Sequence, residues 1–280
     1  MPAAPWTPEG RIVSVAGRGE FFVRDSGGRG PAVLLLHGWM FSADLNWRPV
    51  YEPLHRAGYR VIALDHRGHG RGLRTREPFR LADCAADAAA VMDTLGCGPA
   101  LVVGYSMGGP IAQLMARDHP ASVAGLVLCA TSQEWRDLRL RLFWSAMGLI
   151  RLLLAVLPHT LWPRLLRTMG LPDGPEATWA AAELTRGNAR DLAEAGRELG
   201  RFDSRPWAAR ITQPAAVVLT TRDTAVAPAK QRALARALGA PICPIDGDHS
   251  AATLVPGFAD TLIGALEALR SGRVAISDAS

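Results

Sequence analysis

Gly104-Tyr105-Ser106-Met107-Gly108-Gly109 follows the apolar run Ala100-Leu101-Val102-Val103 and precedes Ile111, Leu114 and Met115 at helical spacing. A short buried strand, a tight turn and a helix are therefore expected in succession, with Ser106 on the turn and Asp118-His119-Pro120 ending the helix. That context separates a nucleophile elbow from a serine in a flexible glycine loop. Glycines two residues either side of Ser106 leave room for backbone, and the N-terminus of the following helix favours developing negative charge.

A serine hydroxyl is a weak nucleophile near neutral pH. It needs a base within hydrogen-bond reach, and a histidine base needs a carboxylate to hold its tautomer. Two loops at expected strand ends, where a parallel sheet gathers functional groups, offer both. Ala215 to Leu219 reads as a buried strand that runs into Thr220-Thr221-Arg222-Asp223-Thr224, ahead of a helix opened by Pro228. Ile242 to Ile245 reads as another, followed by Asp246-Gly247-Asp248-His249-Ser250 and a terminal helix from about Ala251 to Arg270. His249 is the candidate base and Asp223 the candidate carboxylate. Asp246 and Asp248 compete for that place, but neighbours in a glycine-containing turn are better suited to bonding local N–H groups; Asp246 is the fallback.

Upstream, Val33-Leu34-Leu35-Leu36-His37-Gly38-Trp39 is an apolar strand ending in His-Gly. Attack on an acyl carbon places negative charge on its oxygen, which calls for at least two donors set in advance. The N–H groups of Met107 and Trp39 are the expected oxyanion pair, with the His37 side chain acting as a brace for the loop.

Taken together, His37-Gly38, Asp65-His66-Arg67-Gly68-His69-Gly70, the Ser106 turn, Asp223 and His249 resemble the α/β-hydrolase superfamily over most of the chain apart from its middle. The resemblance implies a capped, esterase- or lipase-like serine hydrolase, acting on a small, largely apolar carboxylic ester through an acyl-enzyme on Ser106. Carbon–carbon bond hydrolases, thioesterases, lactonases and cofactor-free perhydrolases of this superfamily use the same three groups, and a ligand receptor could retain them without turnover. Members often carry a serine directly after the Asp-x-Arg-Gly-x-Gly loop. This chain has Arg71-Gly72 there, which implies altered loop bonding.

The chain's 280 residues, 49% of them hydrophobic, suffice for one large α/β domain. Its formal charge of +5 comes from arginine, Lys230 being the only lysine. No basic run interleaved with aromatic residues accompanies it, so no nucleic-acid partner is expected. Cys84, Cys97, Cys129 and Cys243 lie in or beside apolar segments without paired metal-ligand spacing, which suits reduced, buried thiols and a cytoplasmic setting. Met1-Pro2-Ala3-Ala4-Pro5-Trp6 has no basic region followed by an apolar stretch, so no secretory signal is expected. Leu140 to Leu157 is interrupted by Arg141 and Arg151 and ends at Pro158, which suits an amphipathic lid helix, with weak membrane contact left open, better than a lipid span. Oligomeric state leaves no signal in the chain.

Arg11 to Val15 and Glu20 to Arg24 suggest an opening hairpin around Gly17-Arg18-Gly19, and Gly27 to Gly30 a turn into the His37 strand. Strands at Arg60–Leu64, Ala100–Val103 and Val123–Cys129 then alternate with helices at Trp47–Ala57, Leu81–Leu95 and Met107–Asp118, the pattern of a mostly parallel sheet flanked by helices. Residues 134–206 show no strand and read as a helical cap inserted between core segments 1–133 and 207–280. Trp135, Phe143, Trp144, Met147, Leu149, Leu152, Leu153, Trp162, Met169 and Trp179 enrich this segment; most should pack against the core, while some should roof an apolar ligand pocket. Asp65, His66 and His69 are metal-ligand types in a glycine-rich loop without a further clear ligand, and no metal is expected. Gly104, Gly108 and Gly109 lack both a Gly-Lys-Ser/Thr ending and a dinucleotide fingerprint, so no nucleotide cofactor is expected either.

Overall fold

The computed structural model describes residues 6–168, 170–251 and 255–272. Its sheet runs β1 (Glu9–Val15), β2 (Gly19–Asp25), β4 (Arg60–Leu64), β3 (Ala32–Leu36), β5 (Ala100–Tyr105), β6 (Val123–Cys129), β7 (Ala215–Thr220) and β8 (Ile242–Ile245) in spatial order. The hairpin β1–β2 and the β2–β4 pair are antiparallel; every pairing from β4 through β8 is parallel. This is the mixed, mostly parallel sheet expected from the alternation of strand and helix.

Successive residues of a strand face opposite sides, and the apolar runs fill both. Leu34, Leu36, Val102 and Leu128 join one core with α2 (Leu81–Thr94) and α3 (Gly108–Asp118). Val33, Leu35, Val103 and Val127 join the other with α1 (Ala43–Arg56) and the last helix, which spans Phe258–Ser271. With both faces covered, the parallel strands have no polar face to show, which is why they read as continuous hydrophobic runs.

Two helix starts differ from expectation. Helix α1 begins at Ala43 rather than Trp47, because Ser42 caps it: its Oγ accepts from the Leu45 N–H at 3.3 Å, and Pro49 and Pro53 are carried inside. The final helix begins at Phe258 rather than Ala251, behind Gly257 in a left-handed conformation with φ 85°. Ala252, Thr253 and Leu254, placed in that helix by the sequence reading, lie outside the described residues, as do Met1 to Pro5 and Met169.

Between β6 and β7 the chain forms α4 (Leu138–Ser145), α5 (Met147–Val156), α6 (Pro158–Thr168), α7 (Pro175–Thr185) and α8 (Ala189–Arg201). An isolated bridge between Glu134 and Asp203 closes the base of this insertion. Leu140 to Leu157 is thus not one helix but two, broken at Ala146. A polar seam ties the insertion to the sheet. Arg71 pairs with Glu183 of α7 at 2.7 Å, Ser42 Oγ donates to the same carboxylate at 3.2 Å, and Arg74 donates to the Arg186 carbonyl at 2.7 Å. The Arg71 that stands where the superfamily often has serine therefore reaches across to the cap. After β7, α9 (Pro228–Leu238) leads into β8.

Candidate active site

Strand β5 delivers Ser106 onto a turn where its φ is 50°, a left-handed conformation rare for a residue with a side chain. The flanking glycines make that turn possible by close approach. A Cβ on Gly104 would stand 2.4 Å from the Gly108 carbonyl oxygen, and one on Gly108 2.0 Å from that of Leu36. The turn is pinned by the Ser106 N–H donating to Cys129 O at 3.0 Å and by Thr131 Oγ1 donating to Ser106 O at 2.8 Å.

The loops after β7 and β8 bring Asp223 and His249 to this serine. His249 Nε2 lies 2.9 Å from Ser106 Oγ, and His249 Nδ1 lies 2.8 Å from Asp223 Oδ2. With Nδ1–H donating to the carboxylate, Nε2 carries the lone pair that accepts from the serine hydroxyl. Tyr105 supports the loop from below, its hydroxyl donating to the His249 carbonyl at 2.6 Å.

Asp223 is buried and saturated with donors. Its Oδ1 accepts from the N–H groups of Ala225 at 2.9 Å and Val226 at 2.8 Å, and its Oδ2 accepts from Thr220 Oγ1 at 2.9 Å. Gln231 of α9 stands behind both, donating from Nε2 to Thr220 Oγ1 and to the Val226 carbonyl, each at 2.8 Å. Neither competing carboxylate is turned toward His249 Nδ1. Asp246 accepts from Thr221 Oγ1 at 3.0 Å and pairs with Arg222 at 3.1 Å on the surface. Asp248 accepts from the Ser250 N–H at 2.8 Å, and the Ser250 hydroxyl and amide hold its carboxyl below the usual range.

Met107 and Trp39 flank the serine from two elements, and among the described residues their backbone N–H groups have no acceptor. The Trp39 indole donates to the Leu192 carbonyl of α8 at 2.7 Å, which fixes this loop against the cap. Asn46 orders the same loop from the other side, its Oδ1 accepting from the Gly38 N–H at 2.8 Å. That bond sets the orientation of the amide, so the donor end Nδ2, buried and without a partner among the described residues, belongs to a side chain that lines the cavity. His37 is a neutral brace. Its Nδ1 donates to Gly38 O at 2.8 Å, its Nε2 accepts from the His66 N–H at 3.0 Å, and burial holds its pKa well below the ordinary value. Asp65 is occupied by the N–H groups of Ala43 at 2.6 Å and Arg71 at 2.7 Å, a structural use of the residue set aside as a metal ligand.

A cavity of about 500 Å³ opens above Ser106 and His249. Trp39, Trp135, Phe143, Trp144, Trp162 and Leu165 give it an apolar wall, and no arginine or lysine lines it among the described residues. Gln231 and Asn46 carry no local signature in the sequence, since Gln231 meets Thr220 eleven positions away and Asn46 meets Gly38 eight positions away; Thr220, three residues before Asp223, lies in the loop without announcing its bond to that carboxylate.

A family model described as the alpha/beta hydrolase fold matches residues 31–252. Epoxide hydrolase B of Mycobacterium tuberculosis is 41% identical over 101 residues, 35% of this chain and 28% of that protein. A bifunctional esterase/perhydrolase of Acinetobacter calcoaceticus is 37% identical over 111 residues, 39% of this chain and 40% of its own length. The chain thus spans well under half of these curated relatives. In fold, the chain is similar to a hydrolase from Pseudomonas aeruginosa PA01, with a TM-score of 0.75 at 23% identity, covering 94% of this chain and 98% of that one.

Proposed function

The chain belongs to the α/β-hydrolase family, and from that premise we propose that it hydrolyses a neutral, largely apolar carboxylic ester through an acyl-enzyme on Ser106. The observation that carries this reading is the unbroken line Ser106 Oγ, His249, Asp223, with contacts of 2.9 and 2.8 Å, at the floor of an apolar cavity. Ser106 attacks the acyl carbon as His249 Nε2 takes its proton; the imidazolium, stabilised by Asp223, returns that proton to the departing alcohol, and the same nitrogen then activates water. The N–H groups of Met107 and Trp39 receive the oxyanion. The aromatic wall and the lack of a cationic side chain among the described residues that line the cavity favour an uncharged acyl or alcohol portion, because a buried carboxylate without a partner is costly.

The test is labelling with a fluorophosphonate followed by intact-mass analysis, together with turnover on p-nitrophenyl esters of graded acyl length. One adduct per chain on Ser106, and loss of both adduct and turnover in Ser106→Ala, are expected. Undiminished ester turnover in Ser106→Ala would overturn the reading.

A further inference from the structure

The apolar surface of this molecule is unevenly distributed. Among the described residues, the large hydrophobic side chains that are exposed are Trp6, Ile12 and eight more, all eight between Leu138 and Leu165. Leu138 and Leu142 form a row on α4; Leu149, Leu152 and Val156 form another on α5. Their relative exposures run from 58% to 73%, in rows spaced at three or four residues that share one helix face. Helix α5, Met-Gly-Leu-Ile-Arg-Leu-Leu-Leu-Ala-Val, is apolar nearly all round, yet only Met147 and Leu154 are buried. An all-round apolar helix belongs in a core or in lipid, and here more than half of it is exposed outside the protein core.

Within α4–α6 themselves the charge has one sign, with Asp137 before α4 tied to Lys230 at 2.7 Å and Glu194 of α8 near Arg151 at the margin. Arg139, Arg141, Arg151, Arg164 and Arg167 are all exposed, and residues 138–168 contain no aspartate or glutamate. Arg167 is paired with Asp173 at 2.8 Å, and Arg139 leans on the Thr224 carbonyl. Arg141 and Arg151 immediately precede Leu142 and Leu152 of the two rows, so cations sit beside the apolar stripes. The cavity reaches the same surface: Phe143 and Leu165 are exposed at 41% and 40% and also line the cavity above Ser106.

We propose that the outer face of α4–α6 docks on an anionic lipid surface and that the ester enters the cavity from that surface; the second half rests on the hydrolase reading above. Leucines and a valine supply the apolar insertion and arginines the attraction to lipid phosphates, the two components of interfacial binding. The geometry is that of a helix lying in the surface, because no single described helix is long and apolar enough to cross a membrane and α5 and α6 are bent by 114°. A substrate leaving the bilayer would meet Phe143 and Leu165 at the rim without passing through water.

The experiment is co-sedimentation of the full chain carrying Ser106→Ala with vesicles of phosphatidylcholine alone or with phosphatidylglycerol added, so that binding is read independently of turnover. Binding to the mixed vesicles only is expected, weakened ~10-fold or more by Arg141→Glu with Arg151→Glu and similarly by Leu149→Ser, Leu152→Ser and Val156→Ser together. In the Ser106 protein, the leucine and valine substitutions should lower turnover of p-nitrophenyl palmitate held in mixed vesicles and leave turnover of dissolved p-nitrophenyl butyrate unchanged. Absence of vesicle binding, equal binding to both vesicle types, or a concentration-dependent dimer abolished by the same substitutions in place of vesicle binding would each overturn the proposal. Failure of ester turnover with vesicle binding intact would instead overturn the hydrolase reading alone.

Discussion

At the scale of single residues, the site depends on a carboxylate whose own bonds are all spoken for. Asp223 accepts two backbone N–H groups and the Thr220 hydroxyl, so its orientation toward His249 does not rely on the histidine. Asp223→Asn keeps the volume but reverses the hydrogen bond, so that an amide N–H donates to Nδ1 and the proton sits on Nε2, and acyl transfer should fall by about 10⁴-fold. Asp246→Asn and Asp248→Asn, whose partners are Thr221, Arg222 and Ser250, should lower kcat by less than ~10-fold, since they hold only the loop. Steady-state kinetics on one ester decide this, and a larger loss at Asp246 than at Asp223 would reverse the assignment. The meeting of Ser106, Asp223 and His249 was legible because each follows an apolar strand and lies in a loop with turn chemistry. Gln231 was not. Its hydrogen bonds to Thr220 and Val226 exist only once α9 has folded back along β7, and nothing in Pro228-Ala229-Lys230-Gln231 announces them.

At the scale of elements, strands came through best, because burial on both faces writes itself into the sequence as unbroken apolar runs. Helix ends came through less well: Ser42 capping moved α1 upstream, and Pro256-Gly257 moved the final helix downstream. The cap was visible as a strandless stretch, but not the way it is tied to the sheet. Arg71 is the clearest example. In sequence it is a departure from a loop pattern, whereas in the structure it joins Asp44 of α1 to Glu183 of α7. Arg71→Ser leaves the 3%-exposed Glu183 side chain with Arg186 as its remaining ion-pair partner, itself half exposed. Discounted for the partial exposure of Arg71, the loss should be about 2 kcal/mol, or a Tm lowered by ~5 °C. Because α7 supplies Leu184 to the cavity wall, KM for bulky esters should rise more than kcat falls. Thermal melts and paired kinetics on acetate and hexanoate esters measure both effects; an unchanged Tm would show that the seam does not hold the cap.

At the scale of the whole molecule, the buried histidines set how stability responds to acid. His37, His66 and His69 cluster within the core beneath the Gly38–Trp39 loop, their rings tilted to one another with centroids 4.2 Å apart for His37–His66 and 5.4 Å for His37–His69. Burial lowers all three, His66 to about 3 and His69 to about 4. The unfolded chain therefore binds more protons than the folded one between pH 4 and 6.5, and stability, complete above 6.5, is lost as pH falls through that window. Asp65 works in the opposite sense. Burial raises its carboxyl to about 6, so the folded state gains from its protonation as pH falls toward 4. At about 1.4 kcal/mol per pH unit for each group, three histidines outweigh one aspartate, and Tm at pH 4.5 should lie at least ~10 °C below its value at pH 7. His66 separates this account from general acid denaturation, because neither of its ring nitrogens makes a hydrogen bond of good geometry among the described residues and its polar contact is with the His37 backbone. His66→Leu removes no well-formed side-chain hydrogen bond among the described residues and deletes one titrating site, so its Tm should fall less steeply between pH 7 and 4.5 while changing little at pH 7. Calorimetric scans across that range give the comparison. Parallel curves for the two proteins would mean that the acid response arises from the surface carboxylates instead of this buried histidine cluster.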